Sequence, residues 1–540
     1  MDNLIQRVPS ARLRRPMSKN INITLQLLYK VIYSTFTSEK PGLHTILRKG
    51  KRRCELNCQC AQIKIKSANA PGTKNFTWRR KDNVPTRYGF SGDPGVKAAL
   101  DITCSPLEIL SSLVTDELLE HIVRETNWYA VAHSPAASSH MGKWTPTSRQ
   151  EVLAYLGIRV VMGLWKPVNY RDFWSTNRVL RHELVAEVMT RDRFDQLTTH
   201  LHFSHLEEGA PLPEDSMWKL QPIVNSLNDS FRSVFVPGQD IAIDESLCKF
   251  RGRLGFKTYN PTKRARFRLK VYKLSASTGP AAGYTSCFEV YTGKDRGDIP
   301  SFTKVVLHLM KFGGGFLGKG YQLFVDNWYT LPTLFHLLQS HRTNAVGTAR
   351  LNRKFMPKNL VVRRKGDIDY RSSKTAMLAL LGKDRSHVTM LSTVHTAAMD
   401  GDKPLVVKDY NVGMKGVDVG DQMASYYPTT RRSRVWYKKV FFFLYAWADH
   451  HALGSEESQK AFRVGLASEL LGQFREGTDP KWSRTLPKTP PAEIHTLRDR
   501  RFVVSRIPAG RRRRCRMCSM RGRRRSSKTY CSDCNAGLCT

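Results

Sequence analysis

The chain has 540 residues, 41% of them hydrophobic, enough for a large core and for more than one domain. Its 87 Lys plus Arg against 46 Asp plus Glu leave a formal net charge of +41, far too basic for an ordinary cytosolic enzyme. Basic side chains gain affinity by displacing counterions from phosphates, so the excess points to a polyanionic partner. No run reaches the roughly 18 uninterrupted apolar residues of a membrane span. The best stretch, 21–36, is broken by Asn22, Gln26 and Lys30. Nucleic acid is preferred over an anionic membrane surface because Arg dominates the densest basic run and no long apolar helix accompanies it.

Residues 1–85 read as a basic, mostly disordered arm, with weak periodicity and only four acids, Asp2, Glu39, Glu55 and Asp82. The region 86–238 turns helical. Leu107, Ile109 and Leu110 open one apolar face, and Leu118, Leu119, Ile122 and Val123 another, at the spacing of a helix. Ser148 with Glu151 three residues later predicts a capping box. Phe194, Leu197 and Leu201 mark a further helix. Trp165, Trp174 and Trp218 are expected in the core.

From 239 to 352 the period becomes two, with strands expected over 240–244, 268–274, 284–291 and 321–326. Two of these are expected to end at an acid: Ile241-Ala242-Ile243-Asp244 and Leu323-Phe324-Val325-Asp326. Val305–Leu309 and 331–339 read as helices, with Pro332 in the first turn of the second. Residues 353–404 are basic and irregular, an expected insertion. Gly416-Val417-Asp418-Val419-Gly420-Asp421 falls in 405–427; its two acids are three apart, so on a helix they would share one face. Residues 428–500 are helical and strongly apolar over 435–453, with a Pro- and charge-rich linker from 476. Residues 501–540 form an Arg-rich, Cys-rich tail.

Carboxylates are the natural ligands of a hard divalent cation. Two such ions, about 4 Å apart, polarise both the attacking and the leaving oxygen of a phosphodiester. Strands that deliver Asp244 and Asp326 to one sheet edge, joined by Asp418, provide that ligand set if the fold brings them together. The bland alternative is that each Asp closes a turn or caps a helix.

Five of the 11 cysteines lie in the tail. Cys515 with Cys518, and Cys531 with Cys534, form two CxxC pairs, and Cys539 follows; paired thiolates at this spacing predict zinc. Arg511, Arg512, Arg513 and Arg514, with Arg516 and Arg521, and then Arg523, Arg524 and Arg525, surround the pairs. No acid lies between residues 500 and 532. Such a run suits phosphate clamping and nuclear import. A second basic stretch, with Lys257, Lys263, Arg264, Arg268 and Lys270, follows Asp244 and is expected to meet DNA; its alternative role is to guard a strand edge.

At these residues the chain resembles the piggyBac transposase family, in particular its domesticated vertebrate members. The likeness runs from about Gly95 to Trp447. It rests on Ile243-Asp244-Glu245-Ser246-Leu247, Phe250-Arg251-Gly252-Arg253, Lys257-Thr258-Tyr259-Asn260-Pro261-Thr262-Lys263, Val325-Asp326-Asn327-Trp328-Tyr329-Thr330, Val346-Gly347-Thr348-Ala349-Arg350 and Gly416 to Gln422. The resemblance implies an α/β RNase H-like core, a mixed sheet flanked by helices. It also implies an all-α DNA-binding and dimerisation part split around that core, and a C-terminal zinc finger. It places the catalytic acids on Asp244, Asp326 and Asp418, with Asp421 as a further essential acid, and a two-ion Mg²⁺ site on the first three. It implies cut-and-paste cleavage and strand transfer on double-stranded DNA at TTAA, by a nuclear homodimer with no membrane attachment. Departures are Lys415 where a Gly is usual, Arg268 for another Gly, Gly382 for an aromatic, and His450 or His451 for an Asn. The tail stops without the family's second zinc site complete. None of these removes an acid, so an active transposase and a domesticated, catalytically weak or inactive DNA-binding or chromatin protein both stay open.

Overall fold

A computed structural model describes residues 76–100, 103–133, 143–261, 266–293, 300–311, 315–450 and 456–477, with short pieces between 504 and 538. The chain divides into two compact units, Met1–Gly477 and Thr478–Thr540.

In the first unit, helices α1 (Pro106–Leu113), α2 (Asp116–Ala132) and α3 (Arg149–Leu164) appear where the apolar faces predicted them. Ser105 and Glu108 make a full capping box on α1: the Ser105 Oγ accepts from the Glu108 amide at 3.3 Å, and the Ser105 amide donates to the Glu108 carboxylate at 2.6 Å. At α3 only half of the expected box forms. Ser148 Oγ accepts the Glu151 amide at 3.3 Å, whereas the Glu151 carboxylate turns to Arg193, 2.6 Å away. An ion pair with a guanidinium outcompetes the backbone amide for that carboxylate. Helices α4 (Glu183–Val188), α5 (Arg191–His200) and α6 (Gln221–Val234) complete the N-terminal helices. Trp165 departs from its expected core position and is 50% exposed.

A nine-stranded sheet follows. Short strands β1 (Gly95–Val96) and β2 (Phe235–Val236) pair beside it. Its strands are β3 (Asp240–Lys249), β4 (Thr258–Tyr259), β5 (Phe267–Ala276), β6 (Thr285–Val290), β7 (Gln322–Val325), β8 (Asn344–Thr348), β9 (Ile368–Ser372), β10 (Leu378–Lys383) and β11 (His387–Ser392). The order is β4-β5-β3-β7-β8-β11-β10-β9, with β6 also on β5. The centre, β3-β7-β8, is parallel, and the remaining pairs are antiparallel. Strands β9 to β11 lie in the stretch expected to be irregular. The buried run Leu378–Leu381 and the buried Met390 and Leu391 extend the central sheet directly from β8.

Helices α7 (Ser301–Lys311) and α8 (Pro332–Ser340) cover one face of the sheet, where Val306, Leu309, Leu334 and Leu338 pack on Ile241, Ile243, Leu323 and Val325. On the other face a short hairpin, β12 (Met399–Asp400) with β13 (Lys403–Pro404), leads into α9 (Leu405–Gly413) and α10 (Gly416–Tyr426). There Val406 and Val417 pack with Ala242, Phe324 and Val346. A sheet buried on both faces explains why its central strands read as continuous apolar runs.

Helices α11 (Trp436–His450) and α12 (Glu456–Gly477) return to the N-terminal helices and share one apolar cluster with them. Where they meet at Gly157 of α3, an added Cβ would lie 2.9 Å from Leu470 Cβ of α12. The helical part is thus built from both sides of the sheet segment in sequence.

The arm expected over 1–85 is ordered from residue 76 onward; 1–75 lie outside the described residues. Trp78 Nε1 donates to the Phe355 carbonyl at 2.9 Å, Arg79 bridges to Ser372 at the edge strand β9, and Phe76, Trp78 and Phe90 pack on the core. Among the described residues no helix is long and apolar enough to cross a membrane.

In the second unit the described pieces are β14 (Val504–Arg506), β15 (Arg513–Arg514), β16 (Ser526–Ser527), β17 (Thr529–Cys531) and β18 (Gly537–Leu538), in one three-stranded and one two-stranded sheet.

Candidate active site

In the parallel pair β3/β7, Ile243 stands abreast of Val325. The next residues, Asp244 and Asp326, therefore leave the paired segment side by side. Only β7 stops there, at Val325, immediately before its acid. β3 continues to Lys249, because past Asp244 its other edge stays paired with β5 through Lys249↔Arg268. Asp244 is accordingly a mid-strand residue, and its antiparallel partner on β5 is Lys273.

Alternation along β3 puts Ala242, Asp244 and Ser246 on one face of the sheet. Ala242 packs there with Val417 of α10, so this is the face on which α10 lies. Asp418 falls in the first turn of α10, and Asp421 follows three residues later. Asp421 Oδ1 accepts from Ser246 Oγ at 2.5 Å and from Lys273 Nζ at 3.1 Å. Helix and strand approach this closely because α10 presents glycines to the end of β5 and to the turn that follows it. A Cβ on Gly416 would lie 2.5 Å from the Ala276 carbonyl oxygen, and one on Gly420 would lie 2.5 Å from the Gly283 carbonyl oxygen. Gly283 has φ +98°, a left-handed conformation that glycine adopts freely.

Burial pushes the Asp244 carboxyl up to about 7, with further upward push from the negative charges of Glu245, Asp326 and Asp418, against the pull of the Glu245 amide, which donates to Asp244 Oδ1 at 2.8 Å. Asp326 is also raised, first by burial and then by Glu245; the Trp328 amide, donating at 2.8 Å, opposes this. Lys273 is fully buried, which pulls its ammonium down, while Asp421, Asp418 and Asp244 pull it up. The three acids expected to act together thus share one electrostatic neighbourhood, with Asp421 beside them.

The donor set is all carboxylate oxygen and carries mutual repulsion, the chemistry that a hard divalent cation relieves. Among the described residues, no group of three or more His, Cys, Asp or Glu side chains is placed so that it could hold a metal ion. Convergence of charge, rather than a preassembled cage, is what the fold supplies.

Around this centre, Lys270 Nζ reaches Glu245 at 3.2 Å and lies 5.5 Å from the ring of Trp328, which is 42% exposed. Lys257 Nζ donates to the Gly252 carbonyl at 2.8 Å and lies over Phe267. Arg268, expected at a DNA-facing edge, is 7% exposed and therefore interior. Lys263 and Arg264 lie outside the described residues. In the tail, Arg513 and Arg514 form β15, Cys518 is half-buried and Cys531 ends β17. Arg511, Arg512, Arg523, Arg524, Arg525, Cys515, Cys534 and Cys539 lie outside the described residues.

Sequence reasoning missed Lys273 and Ser246. Their one signal is polarity inside a strand: Lys273 interrupts the buried run Leu269, Val271, Leu274.

Residues 105–448 match the family model described as Transposase IS4. The chain is 27% identical over 367 residues to human PiggyBac transposable element-derived protein 3, spanning 63% of this chain and 59% of that relative. It is 25% identical over 418 residues to human PiggyBac transposable element-derived protein 2, spanning 72% of this chain and 67% of that relative. Its fold is similar to that of the piggyBac transposase in a cryo-EM structure of its synaptic complex with hairpin DNA, with TM-score 0.65 and 22% identity over 83% of this chain and 99% of that one. The mixed sheet flanked by helices fits an RNase H-like core. With a family model spanning well over half its length and piggyBac-derived relatives on either count, the chain belongs to the transposase IS4 family and is of piggyBac type.

Proposed function

We propose that the protein cuts and joins double-stranded DNA as a metal-dependent transposase, excising TTAA-flanked ends and joining them at TTAA. The observation that carries this reading is the adjacency of Asp244 and Asp326 at the end of β7, with Asp418 on the helix laid over them. Asp244, Asp326 and Asp418 would hold Mg²⁺. When bound, two such ions spread the charge that develops on the phosphate oxygens.

The chain's own residues do the rest. The parallel register fixes two carboxylates abreast. The Trp328 and Glu245 amides orient one oxygen of Asp326 and of Asp244 respectively. Water or a DNA 3′ hydroxyl attacks, so no protein nucleophile is required. Lys257 and Lys270 stand near the same sheet edge as candidate phosphate contacts, and the net charge of +41 supports binding to a polyanion. The basic tail is assigned to DNA contact, nuclear import and zinc, held by cysteines among Cys515, Cys518, Cys531, Cys534 and Cys539. Assembly as a homodimer belongs to the same reading.

A second reading is a domesticated, catalytically weak or inactive DNA-binding or chromatin protein. It is favoured by relatives whose names call them element-derived and by Lys415 immediately ahead of α10. Purified protein incubated with Mg²⁺ and TTAA-flanked ends separates the two. Nicked and hairpin products, lost in Asp326→Asn, support the transposase; undiminished DNA binding with no product selects the domesticated protein.

A further inference from the structure

We propose that Asp421 is not a metal ligand but the anchor of α10, and that Lys273 is the buried positioning residue that holds it. This rests on the reading of Asp244, Asp326 and Asp418 as metal ligands, and it separates the fourth acid from them by role.

The separation follows from what Asp421 Oδ1 touches. Asp421 Oδ1 already takes two donors, Ser246 Oγ at 2.5 Å and Lys273 Nζ at 3.1 Å. An oxygen bonded to an ammonium is a poor ligand for a divalent cation, because the two positive charges would compete for it at contact distance. Lys273 cannot turn away. Its side chain has no exposed surface, its Nζ lies 4.5 Å from the centroid of the buried Trp447 ring of α11, and a Cβ on Gly420 would come within 3.2 Å of it. The ammonium is thus enclosed between a carboxylate, an indole face and the backbone of α10. Asp418 lies one turn earlier on the same helix. Fixing Asp421 to β3 and β5 fixes the helix that carries Asp418 toward Asp244.

Trp447 adds a consequence. It belongs to the helical cluster that α11 shares with the N-terminal helices, and its ring also meets Phe288 of β6 at 5.3 Å between centroids. The helical part therefore closes the anchor from outside the sheet.

A double-mutant cycle on the full chain tests this. The variants are Lys273→Met, Asp421→Asn and the two combined, with Asp326→Asn alongside. Urea unfolding without metal is the first readout. Asp421→Asn leaves a buried ammonium uncompensated and should raise the unfolding constant on the order of a hundredfold. The combined variant should recover most of that loss. Mn²⁺ binding followed by electron paramagnetic resonance is the second readout, with Mn²⁺ alone as probe. Asp421→Asn should weaken it, and Lys273→Met, which keeps the Asp421 carboxylate but removes its anchor, should weaken it to a similar degree.

If Lys273→Met binds Mn²⁺ as well as the parent while Asp421→Asn does not, then Asp421 is a ligand and the proposal is overturned. Additive unfolding losses would overturn the anchor as well. Asp326→Asn distinguishes the underlying reading: Mn²⁺ binding unaffected by that substitution removes the metal site itself, while the unfolding cycle still decides whether Lys273 holds Asp421. If Lys273→Met fails to fold, Ser246→Ala, which removes the other donor, should weaken Mn²⁺ binding about threefold or more, and an unchanged affinity would count against the anchor.

Discussion

Replacing Asp244 by Asn should stabilise the metal-free protein at alkaline pH and do little at acid pH. The carboxyl is pushed from an ordinary 3.8 up to about 7 in the folded chain. Below pH 3.8 both folded and unfolded chains hold the proton, and Asp244 costs nothing. Between there and pH 7 the unfolded chain releases its proton while the folded chain keeps it, so stability falls as pH rises. Above pH 7 both are ionised and the loss is complete. At about 1.4 kcal/mol per pH unit, the interval corresponds to about 4 kcal/mol. Removing the charge should recover about half of that or more, because Asn still loses hydration in the same half-buried setting. The assay is urea unfolding in EDTA of parent and Asp244→Asn at pH 4.5 and pH 8. The gap should open with pH, and adding Mn²⁺ at pH 8 should reverse it by stabilising the parent alone. A gap that is absent at pH 8, or that is equal at both pH values, would refute the argument that burial and neighbouring carboxylates load this residue.

Other outcomes follow from packing and from the tail. Gly413→Ala would place a Cβ 2.4 Å from the ring of Phe324, itself buried in the sheet, and should cost about 1–3 kcal/mol in urea unfolding. Ser105→Ala removes the side-chain half of the capping box on α1 and should cost about 1 kcal/mol, read as a lower melting temperature with DNA binding unchanged. Chelating zinc should weaken binding to element ends; unchanged affinity after verified metal loss would remove the tail from DNA recognition.

Much of this arrangement was legible in the residues themselves. The apolar run before Asp326 predicted a strand ending at that acid, and β7 ends at Val325, immediately before it. The three-residue spacing of Asp418 and Asp421 would put them on one face if the segment were helical, and α10 makes it so. What stayed hidden depends on pairing. That β3 runs past Asp244 is set by its antiparallel partner, and no local pattern announces which strand that is. The same pairing puts Lys273 opposite Asp244, so its role cannot be read from its own strand. Strands β9 to β11 were obscured by charged residues such as Arg371, in the half-buried β9, and Lys383, at the end of the otherwise buried β10. The docking of residues 76–90 rests on Phe76, Trp78 and Phe90, single aromatics in a polar stretch with no period to reveal them. Trp165 shows the converse: a large apolar residue is not obliged to be inside.

The most direct measurement is Mn²⁺ binding to the full chain, parent against Asp244→Asn, Asp326→Asn and Asp418→Asn, by electron paramagnetic resonance. The parent should bind about two ions, and each variant should show a clear loss of affinity. Binding that survives all three substitutions unchanged would contradict a shared carboxylate site.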